Sequence, residues 1–271
     1  MSIYLPKWLD ELIFETLGAK YCCSNADMTV IDWDKNDILN YLGTYFPRSY
    51  AEAYTIFSNF LRTNPNYLSD KKSISLFDFG CGTGGEIMGL LTAISECRKN
   101  IRDVKVVAFD GNQHALKLYE RILNTFCDMV DIEITNRTAP IKIDDFYDLE
   151  ILNSVLREDY DLIISFKAIC EFVTKQRFEE ANPYKHIAET FLPKLQDDGL
   201  MLLVDVTTYN DMSHEWLPMM MDAGLHECDC RIIEKNEGYN QAYYVTHSRK
   251  SDDVSKVAWR MIKRCNNLNN R

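Results

Sequence analysis

The sequence predicts an α/β protein built on a mostly parallel sheet. Two short apolar runs each end in an acid, Asp78 and Asp110, and closely spaced glycines follow the first at once. Between residues 73 and 248, apolar runs of strand length alternate with stretches of helical periodicity. That alternation puts helices on both faces of parallel strands. At 271 residues, with 46% hydrophobic and 26% charged side chains, the chain is long and apolar enough for a full core.

Residues 1–72 read as an N-terminal helical cap. Trp8, Leu9, Leu12, Ile13 and Leu17 recur at helical spacing, and Gly18 is a stop signal. Ser49-Tyr50-Ala51-Glu52 fits a capping box, and Tyr50, Ala53, Tyr54, Phe57, Phe60 and Leu61 form one apolar stripe. Asn64-Pro65 ends that helix.

Residues 73–248 form the main domain. Strands are expected at 74–79, 104–110, 131–136, 161–166, 200–206, 228–234 and 240–247, seven in all. Helices are expected at 85–99, 113–126, 145–157, 183–196 and 213–223. No helix separates the last two strands, and Asn236-Glu237-Gly238 suits the turn of a C-terminal antiparallel hairpin. Residues 249–271 read as a basic amphipathic tail helix. Val254, Val257, Ala258, Met261, Ile262 and Cys265 lie on one face, with Lys256, Arg260, Lys263 and Arg264 on the other.

The net charge of −11 is unevenly spread. Residues 73–245 carry 16 basic and 30 acidic side chains, whereas residues 246–271 carry 7 and 2. An acidic body argues against broad nucleic-acid binding, and only the tail offers a basic surface for RNA phosphates. No apolar run is long enough to span a membrane, and the N-terminus has no secretory signal pattern. Nine scattered cysteines fit reduced thiols in a cytoplasmic protein better than a disulfide framework.

The chemistry centres on Asp78-Phe-Gly80-Cys81-Gly82-Thr-Gly84-Gly85. Glycines let backbone amides approach a ligand, and the helix start that follows offers donors to an anion. Gly80, Gly82 and Gly85 also fit the dinucleotide pattern G-x-G-x-x-G. Asp78 separates the readings: it would repel a pyrophosphate and suit a cationic ligand. Asp110, ending the next strand, sits where an acid reaches ribose hydroxyls, a contact that both ligand types use. Gly111 and Asn112 turn the chain into the following helix.

On these residues the chain resembles the class I S-adenosylmethionine (SAM)-dependent methyltransferases. Asp78-x-Gly80-x-Gly82-x-Gly84 is similar to that family's first motif, and Asp110 matches its ribose-binding acid. The resemblance covers roughly residues 73–248 and implies a Rossmann-like sheet with a final antiparallel hairpin. It implies SAM as cofactor, held by Asp78, Gly80, Cys81, Gly82 and Gly84 on the methionine side. Asp110 and Gly111 would lie at the ribose, and Asn112 and Gln113 at the adenine. Phe166 and Lys167, after the fourth strand, would border the methyl group. Ser165-Phe166-Lys167 departs from the N-P-P-aromatic motif of the amino-methylating DNA enzymes.

Tyr41 to Ala51 faintly resembles, through Pro47, Tyr50 and Ala51, the P-x-x-Y-A segment of a ribosome-associated methyltransferase-like family of the mitochondrial small subunit. That family's cysteine cluster is not clearly reproduced. Tyr50 or Arg48 is a candidate to close over the cofactor carboxylate; the plainer reading is an aromatic helix packed on the sheet. His226, Cys228 and Cys230 alternate and would share one face of a strand, yet no fourth metal ligand stands at a matching spacing. None of the five histidines stands in a catalytic motif. Methyl transfer by orientation needs no base unless the acceptor must lose a proton. A small-molecule acceptor is expected, with RNA methylation and non-catalytic SAM binding as alternatives.

Overall fold

The computed structural model describes residues 2–22, 34–156, 159–173, 181–212 and 214–265. The chain divides into two compact units, each discontinuous in sequence. Both combine helices with parallel strands, and antiparallel strands are added toward the C-terminus.

The first unit comprises Met1–Ile74, Gly80–Lys142 and Ala242–Ser255. Strand β1 (Ser2–Tyr4) pairs in parallel with β10 (Gln241–His247), from Ser2 opposite Tyr244 to Tyr4 opposite Thr246. Helix α1 (Lys7–Glu11) runs into a π turn, Leu12–Thr16, and buries Leu9, Ile13 and Phe14. Helix α2 (Lys35–Thr44) starts at a capping box in which Asp34 accepts from the Asn36 and Asp37 amides. Helix α3 (Phe46–Thr63) follows.

The expected capping box at Ser49 is not the start of α3. The helix begins at Phe46, with Pro47 in its first turn, where proline's missing N–H costs nothing. Glu52 instead accepts a hydrogen bond from Ser255. Helix α3 packs along α4 (Gly85–Cys97). A Cβ on Gly89 would run into the Tyr50 carbonyl, so glycine permits this close approach. Strand β3 (Asp103–Asp110) pairs in parallel with β4 (Glu133–Pro140), and α5 (Gln113–Cys127) connects them.

The second unit comprises Ser75–Phe79, Ile143–Gln241 and Lys256–Arg271. Strand β2 (Ser73–Phe79) lies beside β5 (Tyr160–Phe166), and β5 beside β6 (Leu195–Val206), all parallel. These strands are near-continuously apolar because both faces are covered: Leu76, Phe77, Ile163, Ile164, Met201 and Leu203 are fully buried. A 3-10 turn, Glu150–Ser154, stands where a helix over 145–157 was expected. Helix α6 (Ile169–Phe172) follows β5, and α7 (Pro183–Phe191) is capped by Asn182. The small hairpin β7 (Tyr209–Asn210) and β8 (Glu215–Trp216) precedes α8 (Leu217–His226).

The C-terminal end differs most from expectation. Lys250–Arg264 is a strand, β11, and not a basic helix. It runs antiparallel to β6, from Val257 opposite Val206 to Ile262 opposite Met201. Val257 through Ile262 are all buried, so the i, i+3, i+4 stripe is part of a strand covered on both faces. Arg260, placed on the basic face, is 3% exposed and holds Asp222 at 2.9 Å; Arg264 pairs with Asp197 at 2.7 Å. Of the side chains on the basic face proposed for RNA, Arg260 is therefore taken up inside the protein, whereas Lys256 stays exposed and Lys263 and Arg264 stay half-buried.

Nor do residues 228–234 and 240–247 form a hairpin. Strand β9 (Cys230–Lys235) pairs with β11, and β10 turns directly into β11. The Asn236 side chain accepts from the Trp259 amide at 2.8 Å and from Arg260 at 3.1 Å, which ties the presumed turn to β11. Among the described residues, no helix is long and apolar enough to cross a membrane.

Candidate functional site

In the first unit, the glycine loop leaves β2 and enters α4 in a conformation few other residues tolerate. Gly80, Gly82 and Gly84 have φ of 80°, 49° and 79°. The Phe109 carbonyl accepts from the Gly80 and Cys81 amides, both at 2.9 Å, and so anchors the loop to the end of β3. The next residue on β3, Asp110, accepts from the Gly82 amide at 2.8 Å through Oδ2 and from the Asn112 amide at 2.7 Å through Oδ1. One carboxylate thus fixes both the glycine loop and the turn into α5.

Each Asp110 oxygen keeps further acceptor capacity, because a carboxylate oxygen has two acceptor sites. Burial pushes the Asp110 carboxyl up to about 6, against the lowering effect of its two amide bonds. As a residue Asp110 remains half-buried.

The other residues expected here divide by what their side chains already do. Asn112 is spent as the cap of α5, accepting from the His114 and Ala115 amides at 2.9 and 3.1 Å. Cys81 is 1% exposed, and its thiol turns back toward the Gly82 carbonyl. Gly111 lies in the bend between Asp110 and Asn112, and Gln113 is the first residue of α5. Helix α4 starts at left-handed Gly84 and has no side-chain cap. A ligand carboxylate suits a helix start of this kind, which presents first-turn amides and the positive end of a dipole.

Tyr50 is corrected. It is 2% exposed, and its hydroxyl bonds Thr92, two turns into α4, while its ring stacks on Tyr54. Burial raises its ionisation well above the usual tyrosine range. Tyr50 therefore packs α3 on α4 and does not close over the loop. Arg48 is likewise engaged, with Asp253.

Sequence reasoning missed Tyr41 and Tyr119. The Tyr41 hydroxyl lies 3.0 Å from where a Gly82 Cβ would stand, and its ring stacks on Tyr45 at 5.2 Å. Tyr119 packs its ring against Gly84 and donates to Asn136 at 2.7 Å. Both come from other elements, and no local pattern signals them.

In the second unit, three side-by-side parallel strands end in functional-type residues. Asp78, near the end of β2, is fully buried. Phe166 ends β5 and is buried in the sheet. Lys167 follows with φ of 56°, unusual for a residue with a side chain, and its amide donates to Val204 at 2.8 Å. Asp205, near the end of β6, is 1% exposed and accepts from the Tyr184 hydroxyl at 2.9 Å and from Cys170. Burial raises the Asp205 carboxyl, the Tyr184 hydroxyl and the Cys170 thiol together.

A sequence signal for Asp205 existed: Leu202-Leu203-Val204-Asp205 is a third apolar run ending in an acid. Left-handed Lys167 offers a test of strain. Lys167→Gly is expected to raise stability by about 0.5–1 kcal/mol in urea unfolding, because glycine relieves the conformation at a smaller entropic cost. A loss of stability would show that the side chain's contacts outweigh the strain.

His226 ends α8, so it does not alternate with Cys228 and Cys230 along one strand. No group of three or more His, Cys, Asp or Glu suited to a metal ion stands among the described residues.

No protein-family model matches the chain, and no curated protein does. The chain is similar to several solved methyltransferase structures. One is a precorrin-6y C5,15-methyltransferase from Geobacter metallireducens, 14% identical, with 78% of this chain and 86% of that one covered and a TM-score of 0.46. Another is the rRNA methyltransferase aviRa from Streptomyces viridochromogenes, 14% identical over 78% of this chain and 84% of that one, TM-score 0.44. The cyclase SpnF is also similar, 12% identical over 66% and 58%, TM-score 0.41. Likeness at this level fixes neither the reaction nor the substrate.

Proposed function

We propose that this chain is a class I SAM-dependent methyltransferase acting on a small-molecule acceptor. The observation that carries the reading is Asp110 bonded to both Gly82 and Asn112: the acid that would hold a ribose is locked to the loop that would hold the methionine carboxylate. SAM supplies a methyl carbon already activated by its sulfonium leaving group.

The chain's own residues then bind and orient. Gly80, Cys81, Gly82 and Gly84 shape the loop, and the uncapped start of α4 offers amides to the carboxylate. Asp110 accepts from the ribose hydroxyls, while Gly111 and Asn112 hold the turn toward the adenine. Asp78 suits the ammonium. Phe166 and Lys167 border the reacting methyl and the acceptor, and orientation supplies the rate without a dedicated base.

Helices α1–α3 serve as the cap, with Tyr41 over the loop. Eight free cysteines among the described residues favour a cytoplasmic setting.

Asp110→Ala is expected to weaken SAM binding by roughly 100-fold in calorimetry, from two lost hydrogen bonds to a charged group. Unchanged affinity would overturn the ribose role, and NAD binding without SAM binding would overturn the whole reading. The pH dependence has a definite sign. Ribose hydroxyls donate to the ionised carboxylate, so binding lowers the Asp110 pKa from about 6 and releases a proton. Affinity should be full above pH 6 and fall up to about tenfold per unit below it. Asp110→Asn should bind weakly with that pH dependence gone.

A further inference from the structure

Three cysteines at one end of the second unit have no part in methyl transfer: Cys228, Cys230 and Cys265, all half-buried. Between α8 and β9 the Cys230 amide donates to the Cys228 carbonyl at 2.7 Å, closing a three-residue turn. In an extended chain, alternate Cα atoms stand about 6.6 Å apart. A bond from residue i+2 back to residue i shortens that span, within the range of about 4.4–6.8 Å that a disulfide bridges.

The side chains point the same way. Cys228 Sγ lies 3.3 Å from the Gly224 carbonyl oxygen, and Cys230 Sγ lies 3.4 Å from that of Leu225. The two sulfurs thus sit over consecutive carbonyls in the last turn of α8, and the Cys230 thiol hydrogen-bonds Cys228. Cys265 is close by: its amide donates to the Asp229 carbonyl at 3.1 Å, and its neighbour Arg264 is in register with Cys230.

We propose that Cys228 and Cys230 form a reversible dithiol–disulfide site that reacts with small-molecule disulfides, Cys228 attacking and Cys230 resolving. The Cys228 thiolate attacks one sulfur of glutathione disulfide and expels a glutathione thiolate. Cys230 loses its proton to solvent and attacks the Cys228 sulfur, expelling the second glutathione. Two thiols are oxidised, and one glutathione disulfide is reduced to two glutathiones.

The assignment of roles follows from the pair's electrostatics. The Cys230 hydrogen bond, helped by Lys185, holds the Cys228 thiol below its usual range, and the same contact raises Cys230. Burial, Glu189 and Glu227 oppose the lowering at Cys228, each with smaller effect than the Cys230 hydrogen bond. The attacking thiol should be the one with more thiolate.

The test is equilibration of the full chain in glutathione redox buffers, followed by acid quench, alkylation and tryptic mass spectrometry. The fragment Leu195–Arg231 contains only these two cysteines. It should become two hydrogens lighter and resist alkylation, and dithiothreitol should restore it. In Cys230→Ser the same fragment should keep one glutathione on Cys228, which shows the attacking thiol whether or not the disulfide can form. A fragment doubly alkylated in every buffer, or one crosslinked to Cys265, would overturn the proposal.

Discussion

Asp253→Ala is expected to lower unfolding stability by about 3 kcal/mol, the low end of the cost of leaving a buried cation without its partner, because Arg48 is only partly buried. Asp253 is 3% exposed and receives Arg48 in two bonds of 2.8 Å, from Nε and Nη2. Tyr21 donates to the same carboxylate at 3.1 Å, and His247 Nε2 stands 3.9 Å away. With the carboxylate gone, the guanidinium would retain its stacking on Tyr45 but no anion. Urea unfolding of Asp253→Ala, Arg48→Met and the double variant reads the pair directly. The double should lose clearly less than the two singles added together, because the orphaned charge is removed.

The pH dependence follows the usual carboxylate sign. Against the raising effect of burial, nearby His247 and the two hydrogen bonds from Arg48 hold Asp253 well below its ordinary range. Its contribution is complete above that ordinary range and is lost as the pH falls below it. Acid unfolding of the Asp253→Asn variant should therefore be shallower than that of the parent.

Gly84→Ala is expected to cost about 2–5 kcal/mol, from two sources. The backbone there has φ of 79°, which costs a residue with a Cβ about 1–2 kcal/mol. The added methyl also enters the ring of Tyr119, which is fully buried and tied by its hydroxyl to Asn136. Overpacking of that kind adds about 1–3 kcal/mol. Gly18 provides the control: its φ is 76° and nothing lies within 4 Å of the added Cβ. Gly18→Ala should show the backbone cost alone, so equal losses at the two positions would refute the role given to Tyr119.

The parts of the fold that could be read from the sequence are those whose signal is local. β2, β3, β5 and β6 announce themselves as apolar runs between turn residues, and the glycine loop by its spacing. β11 misleads because a strand buried on both faces has apolar residues everywhere, so a helical stripe can be found within it. Its length and its Val, Trp and Ile content favoured a strand, and the burial of Arg260 depends on Asp222, 38 residues earlier in sequence.

The candidate site divides the same way. Asp110 and the glycines are contiguous in their motifs, whereas Tyr41 and Tyr119 reach the loop from distant helices. Tyr50 was drawn toward the site by a short motif, but helical phase turns its side chain onto α4.

The pairing of β1 with β10 carries a consequence for synthesis on the ribosome. Ser2 meets Thr246 across 244 residues, and Arg48 meets Asp253 across 205. At about 5–20 residues per second, Arg48 waits roughly 10–40 s for its partner to be made. During that interval the N-terminal helices have neither their strand nor their counter-ion. The first unit is thus completed only after residues 244–253 have been made. A ribosome stalled before residue 240 should hold a nascent chain whose N-terminal part is open to proteases and chaperones.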